Sequence, residues 1–148
     1  MQNAKATIVV DGTKYIREDL APIDNRPITE RVKSYEDACA VLGIHPTELN
    51  ISVAGYGDGL SESIKAYGKL IVIAQALNEG WTPDWGNNNE YKYYPWFKAN
   101  PSGSGLSYRD FAFWNTVSFV PARLCFKTAE LAEYAGKQFI DLYTDYIK

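Results

Sequence analysis

Tyr91-Lys92-Tyr93-Tyr94-Pro95-Trp96-Phe97-Lys98 and Leu106-Ser107-Tyr108-Arg109-Asp110-Phe111-Ala112-Phe113-Trp114 are the two runs whose reading decides the fold. Both are dense in aromatic residues that pack well on a pleated surface. Asn100-Pro101-Ser102-Gly103-Ser104-Gly105 joins them with turn-forming residues. Together they predict a long antiparallel hairpin. Alternation puts Lys92, Tyr94, Trp96 and Lys98 on one face and Tyr91, Tyr93, Pro95 and Phe97 on the other. In the second run Tyr108, Asp110, Ala112 and Trp114 alternate with Ser107, Arg109, Phe111 and Phe113. A one-sided sheet needs one apolar face only. The second aromatic face therefore calls for a cover: a helix, a loop, another subunit or a ligand. Pro95 removes a ladder donor, which predicts an edge or bulged strand.

Upstream, Thr7 to Val10 and Thr13 to Ile16 flank Asp11-Gly12, whose residues suit a two-residue hairpin turn. Asp19 to Pro27 reads as loop. Ser34 is an N-cap, with Glu36 and Asp37 in the first turn, and Gly43 stops the helix. His45-Pro46-Thr47 reads as a turn, Asn50 to Ala54 as a strand or extended lead-in, and Gly55 to Gly59 as a flexible loop. Ser61 or Ser63 is expected to cap a helix running to about Asn78. Its stripe of Ile64, Tyr67, Leu70, Ile71, Ala74 and Leu77 has helical spacing. Gly80 ends it, and Trp81 to Asn89 is a loop. Downstream, Ala122 to Phe126 is expected as a third strand. Thr128 caps a last helix packing through Leu131, Tyr134, Ala135, Phe139, Leu142, Tyr143 and Tyr146. The expected fold is one α+β domain over residues 1–148. It has a mostly antiparallel sheet and about three helices, the C-terminal one packed on the sheet.

The chain has 148 residues, 46% of them hydrophobic and 22% charged, with a formal net charge of −3. That composition excludes wholesale disorder. No apolar run reaches the roughly 18 to 20 residues of a membrane helix. Met1 to Lys14 lacks a signal-peptide core, so a cytoplasmic location and no membrane contact are expected. Thirteen of the 21 aromatic residues fall between Trp81 and Phe126. From Glu90 to Lys127 the acids Glu90 and Asp110 are outnumbered by Lys92, Lys98, Arg109, Arg123 and Lys127. The aromatic region is thus also locally basic inside an acidic chain.

Chemistry-bearing motifs are sparse. Gly55-Tyr56-Gly57-Asp58-Gly59 precedes a helix, but its spacing is neither the dinucleotide fingerprint nor a P-loop, and Asp58 would repel phosphate. His45 stands alone in a turn. Cys39 and Cys125 read as buried small residues. No catalytic residue, metal ligand or cofactor is expected, and paired carboxylates meeting in the fold remain the only route to an enzyme. The aromatic hairpin has more to offer. Rings of Tyr94 and Trp96 with the ammoniums of Lys92 and Lys98 and the guanidinium of Arg109 suit a protein partner. They also have the ingredients of a single-strand nucleic-acid platform. Alternatively, Trp81 and Trp85 fold over the sheet and bury the rings while the lysines reach outward.

Three blocks carry a resemblance. They are Ala76-Leu77-Asn78-Glu79-Gly80-Trp81-Thr82-Pro83-Asp84-Trp85, then Tyr91-Lys92-Tyr93-Tyr94-Pro95-Trp96-Phe97, then Arg123 to Lys127 with Glu130 to Phe139. They resemble a family of small uncharacterised proteins of gut Bacteroidetes, their phages and mobile elements. The resemblance covers the C-terminal half and brings no catalytic motif. It implies a phage or mobile-element setting, in the host cytoplasm or the virion. The expected function is a non-enzymatic binding or assembly module acting through Trp81, Trp85, Lys92, Tyr94, Trp96, Lys98 and Arg109. A protein partner or self-association is expected, with single-stranded nucleic acid as the alternative and a cryptic carboxylate enzyme as the third.

Overall fold

A computed structural model describes residues 7–10, 13–16, 24–46, 58–100, 105–115 and 123–147. The fold class is α+β. Strands β1 (Thr7–Val10) and β2 (Thr13–Ile16) pair antiparallel, Val10 opposite Thr13, as the Asp-Gly reading expects. The turn residues Asp11 and Gly12 lie outside the described residues, as do Asn50 to Ala54, Gly55 to Gly57 and Thr47.

Pro27, where the loop read from the sequence ends, opens a one-turn helix α1 (Ile28–Arg31) that the sequence reading does not include. Helix α2 (Tyr35–Leu42) has both halves of a capping box. Ser34 Oγ accepts from the Asp37 N–H at 3.1 Å, and Asp37 Oδ2 accepts from the Ser34 N–H at 3.0 Å. Gly43 closes it with φ of 66°, a left-handed conformation that glycine adopts without a Cβ penalty.

Helix α3 (Asp58–Leu77) begins before Ser61 and Ser63, so neither is its cap. Ser63 instead lies inside the helix and donates to the Tyr146 carbonyl at 2.6 Å. That bond and a Tyr67–Tyr146 ring stack at 5.2 Å join the start of α3 to the C-terminal helix.

The predicted hairpin forms as β3 (Lys92–Ala99) and β4 (Leu106–Trp114), antiparallel. The Pro101 to Ser104 part of its turn lies outside the described residues. The expected third strand is corrected. Among the described residues, only Phe126 pairs with the ribbon, by one bridge to Tyr93. The next ladder pairs would need the N–H that Pro95 lacks and the Thr128 carbonyl, which accepts from the Ala132 N–H at 3.2 Å as the next helix starts, so the pairing stops at one bridge. Asn78 donates to the Cys125 carbonyl at 2.9 Å and accepts from the Lys127 N–H at 3.0 Å. The backbone groups beside Phe126 that face away from β3 are thus satisfied by the end of α3.

The last helix is also corrected: it is two, α4 (Ala129–Gln138) and α5 (Ile140–Ile147), broken at Phe139. Thr128 caps α4 through the Leu131 N–H at 3.3 Å, as expected. The described residues thus hold two separate two-stranded antiparallel ribbons and five helical segments, the α+β fold expected with the C-terminal helices packed on a sheet, the helix count raised by α1 and the break at Phe139.

One core joins α3, α4, α5 and the inner face of the β3–β4 ribbon. Leu70, Ile73, Ala74 and Leu77 of α3 meet Leu131, Ala132 and Ala135 of α4, with Phe126, Phe139 and Tyr143 between them. Leu70, Ala74 and Leu77 of the stripe read for α3 are buried, and the buried side also takes in Ala66, Ile73 and Ala76, while the face read for the C-terminal helices is buried at Leu131, Ala135, Phe139 and Tyr143. Tyr134 ties α4 to the short N-terminal helices by donating to the Val32 carbonyl at 2.7 Å.

Candidate interaction surface

The β3–β4 ribbon is aromatic on both faces, and the helices cover only one. Tyr93, Pro95, Phe97, Leu106 and Phe111 turn towards the core, where α4 and α5 pack. The approach is tight at Gly136 of α4. A Cβ there would lie 2.7 Å from Pro95 Cβ and 2.6 Å from the Tyr108 ring, so the helix can rest on the ribbon only through a glycine.

Tyr93 exchanges both backbone hydrogen bonds with Phe126, at 3.0 and 2.7 Å. Those groups point away from β4, so Tyr93 and Phe113 form a non-hydrogen-bonded pair of the β3–β4 ladder. Two residues on, Pro95 and Phe111 form another. The missing Pro95 N–H therefore costs the ladder nothing.

The register slips between Trp96, opposite Asp110, and Phe97, opposite Tyr108. Arg109 is the extra residue of a bulge. This corrects the simple alternation. Tyr108 leaves the face of Asp110, joins Phe97 on the inner side and packs against Gly136. The strand irregularity expected from Pro95 falls across the ladder, in β4.

The outer face carries Tyr94, Trp96, Ala112 and Trp114 with the exposed charges Lys98, Arg109 and Asp110. Trp96 is 50% exposed and Trp114 41%. The Tyr94 and Trp114 rings lie nearly parallel, 8° apart with centroids at 6.3 Å. Partial burial pushes the Tyr94 phenol up, while a hydrogen bond from the Trp114 indole works the other way. At the end of the inner face, beyond the helices, Tyr91 and Phe113 pack edge to face at 4.8 Å and remain about half exposed, 47% and 51%.

Lys92 does not stand on this surface, contrary to the alternation reading. Its side chain is 1% exposed. Nζ donates to the carbonyls of Asp84 at 2.5 Å, Glu90 at 2.9 Å and Asn87 at 3.3 Å, and pairs with Glu90 Oε1 at 3.1 Å. It also lies 5.5 Å from the centre of the Trp85 ring. A buried ammonium requires this many acceptors, and the 81–90 loop supplies them by wrapping over it. Glu90 is the other half of the latch. Burial works to raise its carboxyl, but the Asp84 N–H, the Lys92 ammonium and the Trp81 indole outweigh that and hold it below its ordinary value.

Trp81 and Trp85, both half-buried, line a cleft of about 470 Å³ with Ile71, Gln75, Asn78, Thr82, Pro83, Arg123 and Cys125. They therefore belong to a different surface feature from Trp96. Burial pushes the Cys125 thiol up to about 11, which makes it inert as a nucleophile at neutral pH. Cys39 is buried too, and His45 is exposed with Nδ1 3.0 Å from the Pro46 carbonyl.

Of the seven residues singled out from the sequence, the outer face brings together Tyr94, Trp96, Lys98 and Arg109. It adds Trp114 and Asp110, which the sequence reading did not select. Trp114 becomes visible only through its place opposite Lys92 in the register. Among the described residues, no cluster of His, Cys, Asp and Glu is placed to hold a metal ion, and no helix is long and apolar enough to cross a membrane. No protein-family model, curated protein or solved structure matches the chain.

Proposed function

We propose that this protein is a non-enzymatic binding or assembly module that presents the outer face of the β3–β4 ribbon to a protein partner. The observation that carries this reading is the exposure of Trp96 and Trp114 beside the half-buried Tyr94, on the ribbon face that the helices leave uncovered. Tryptophan and tyrosine bury large area at small entropic cost and dominate interface hot spots. Lys98, Arg109 and Asp110 around them form a polar rim of mixed sign. The phage or mobile-element setting rests on the resemblance of the C-terminal blocks.

The charge arrangement favours a protein over single-stranded nucleic acid. Lys92 spends its charge inside the protein, and Asp110 stands opposite Trp96 in the middle of the ring platform. The cleft beside Trp81 and Trp85 has Arg123 and neither Asp nor Glu in its described lining, so it offers no carboxylate pair of its own.

The test is a tryptophan-fluorescence titration with a single-stranded oligonucleotide at low and moderate salt, run beside light scattering. All four tryptophans lie between Trp81 and Trp114, so the signal reports on this region. The expected result is no saturable quenching, with assembly or partner binding that weakens in Trp96→Ala. Quenching that fades with salt and vanishes in the Trp96→Ala, Lys98→Ala double variant would replace this reading with nucleic-acid binding.

A further inference from the structure

The outer edge of β4 has a self-complementary pattern that points to a second copy of this chain as the partner of that edge. Among the described residues, nothing on another element hydrogen-bonds to the backbone of that edge. The outward groups follow from the Tyr93–Phe126 exchange. Phe113 and Phe111 lie in non-hydrogen-bonded pairs with β3, so their N–H and C=O groups point outwards. Beyond the bulge the same holds for Tyr108 and Leu106, opposite Phe97 and Ala99.

The bulge then selects the register. Leu106, Tyr108, Phe111 and Phe113 share the inner face. Ser107, Asp110 and Ala112 share the outer face, and Arg109, the extra residue, opposes Trp96 together with Asp110. Two antiparallel β4 strands must match inner with inner and outer with outer. A two-fold centred on Arg109 or Asp110 fails beside its centre, because the bulge makes the alternation unequal on the two sides, and one centred on any other residue of β4 matches only a shorter stretch. For example, a two-fold at Asp110 sets outer Arg109 against inner Phe111. A two-fold centred between Arg109 and Asp110 matches every residue from 106 to 113. Leu106 meets Phe113, Ser107 meets Ala112, Tyr108 meets Phe111, and Arg109 meets Asp110, each pair occurring twice. Opposite charges face each other at the centre, and the half-exposed Phe113 ring gains Leu106 as a neighbour.

We propose that two copies of this chain pair antiparallel through their β4 edges in this register, forming a four-stranded sheet in the order β3-β4-β4-β3. The proposal rests on the assembly reading and adds to it a contact between copies at the β4 edge, which leaves the outer face free for the partner. Bulges and charges on an edge guard against indiscriminate pairing, and here they leave one full-length register open. Asp110 Oδ1 accepts the Phe111 N–H at 2.8 Å in the single chain, so that outward donor is satisfied before pairing. On pairing, the second copy's Tyr108 carbonyl takes the N–H and its Arg109 takes the carboxylate, one acceptor for another. The outer aromatic faces of both copies then lie on the same side of one sheet.

The experiment is light scattering and sedimentation of the full chain, with far-UV circular dichroism to confirm folding of each variant. The wild type should run at twice its 16.6 kDa chain mass. Arg109→Asp and Asp110→Arg each set like charges against each other twice and should each weaken dimerisation by at least about tenfold. Both positions are exposed, so the fold should survive. Mixing the two single variants restores opposite charges and should restore the dimer, as should the double variant Arg109→Asp, Asp110→Arg. A monomeric wild type, single variants as dimeric as the wild type, or a mixture that stays monomeric would each overturn the proposal. A dimer indifferent to both charges but lost in Trp96→Ala would move the interface to the outer face, overturning edge pairing while keeping the binding-face reading.

Discussion

The two faces of the β3–β4 ribbon share strands and composition and have opposite fates. On the inner face, Tyr93, Pro95, Phe97, Tyr108 and Phe111 are held by α4 and α5, closely enough that Gly136 has no room for a methyl group. On the outer face, the half-buried Tyr94 stacks on Trp114, and Trp96 and Trp114 meet solvent. The aromatic excess of this chain is therefore partly core and partly surface. What separates the two is which side the C-terminal helices reach. The same ring contributes stability where neighbours exclude water and is available for recognition where they do not.

The sharpest way to break this comparison is to hollow the inner side. Phe126 is 1% exposed, and Phe126→Ala should cost about 3–5 kcal/mol, read as a fall in the urea midpoint. Next comes the latch between the faces. Lys92→Met strands Glu90 and three carbonyls and should cost about 3 kcal/mol, at the low end for a buried pair because Glu90 is a quarter exposed. Its tryptophan emission should also shift to the red as Trp85 loses its cover. Glu90 adds a pH signature. Its folded carboxyl titrates below its unfolded value, so its contribution is present above the ordinary carboxylate range and is lost as pH falls through the folded value. Acid titration should show that loss in the wild type and a smaller one in Glu90→Gln. At Gly136, an alanine would gain roughly 1 kcal/mol in helix propensity. Overpacking against Pro95 and Tyr108 costs about 1–3 kcal/mol. Gly136→Ala should therefore be a net loss by thermal denaturation. The smallest effect on stability belongs to the outer face. Trp96→Ala should change it by no more than about 0.5 kcal/mol, while partner binding falls. A large stability loss there would make Trp96 part of the core and end the distinction.

Local chemistry was legible where neighbours in sequence settle it. Ser34 with Asp37, Gly43 and Thr128 cap their helices as read, since those bonds close within a few residues. The aromatic runs also form the expected hairpin. The site was legible in part. Tyr94 and Trp96 do share an exposed face, but Lys92 is enclosed and Trp81 and Trp85 line a separate cleft. Nothing in Lys92 or its neighbours distinguishes an outward lysine from a buried one. The difference is the 81–90 loop folding back with three carbonyls, a contact between residues set by the path of the loop.

By itself, then, the sequence determined the caps at Ser34, Gly43 and Thr128, apolar stripes on α3 and the C-terminal helices, and an aromatic hairpin too apolar for one covered face. These are consequences of local hydrogen bonding and periodicity. The tertiary structure alone decided which face is covered, where the register slips and where Lys92 points. Tyr108 settles on Gly136 instead of beside Asp110, and the resulting bulge at Arg109 reverses the order of faces along β4. Such choices depend on the fit between elements distant in the chain, where shape and burial outweigh alternation.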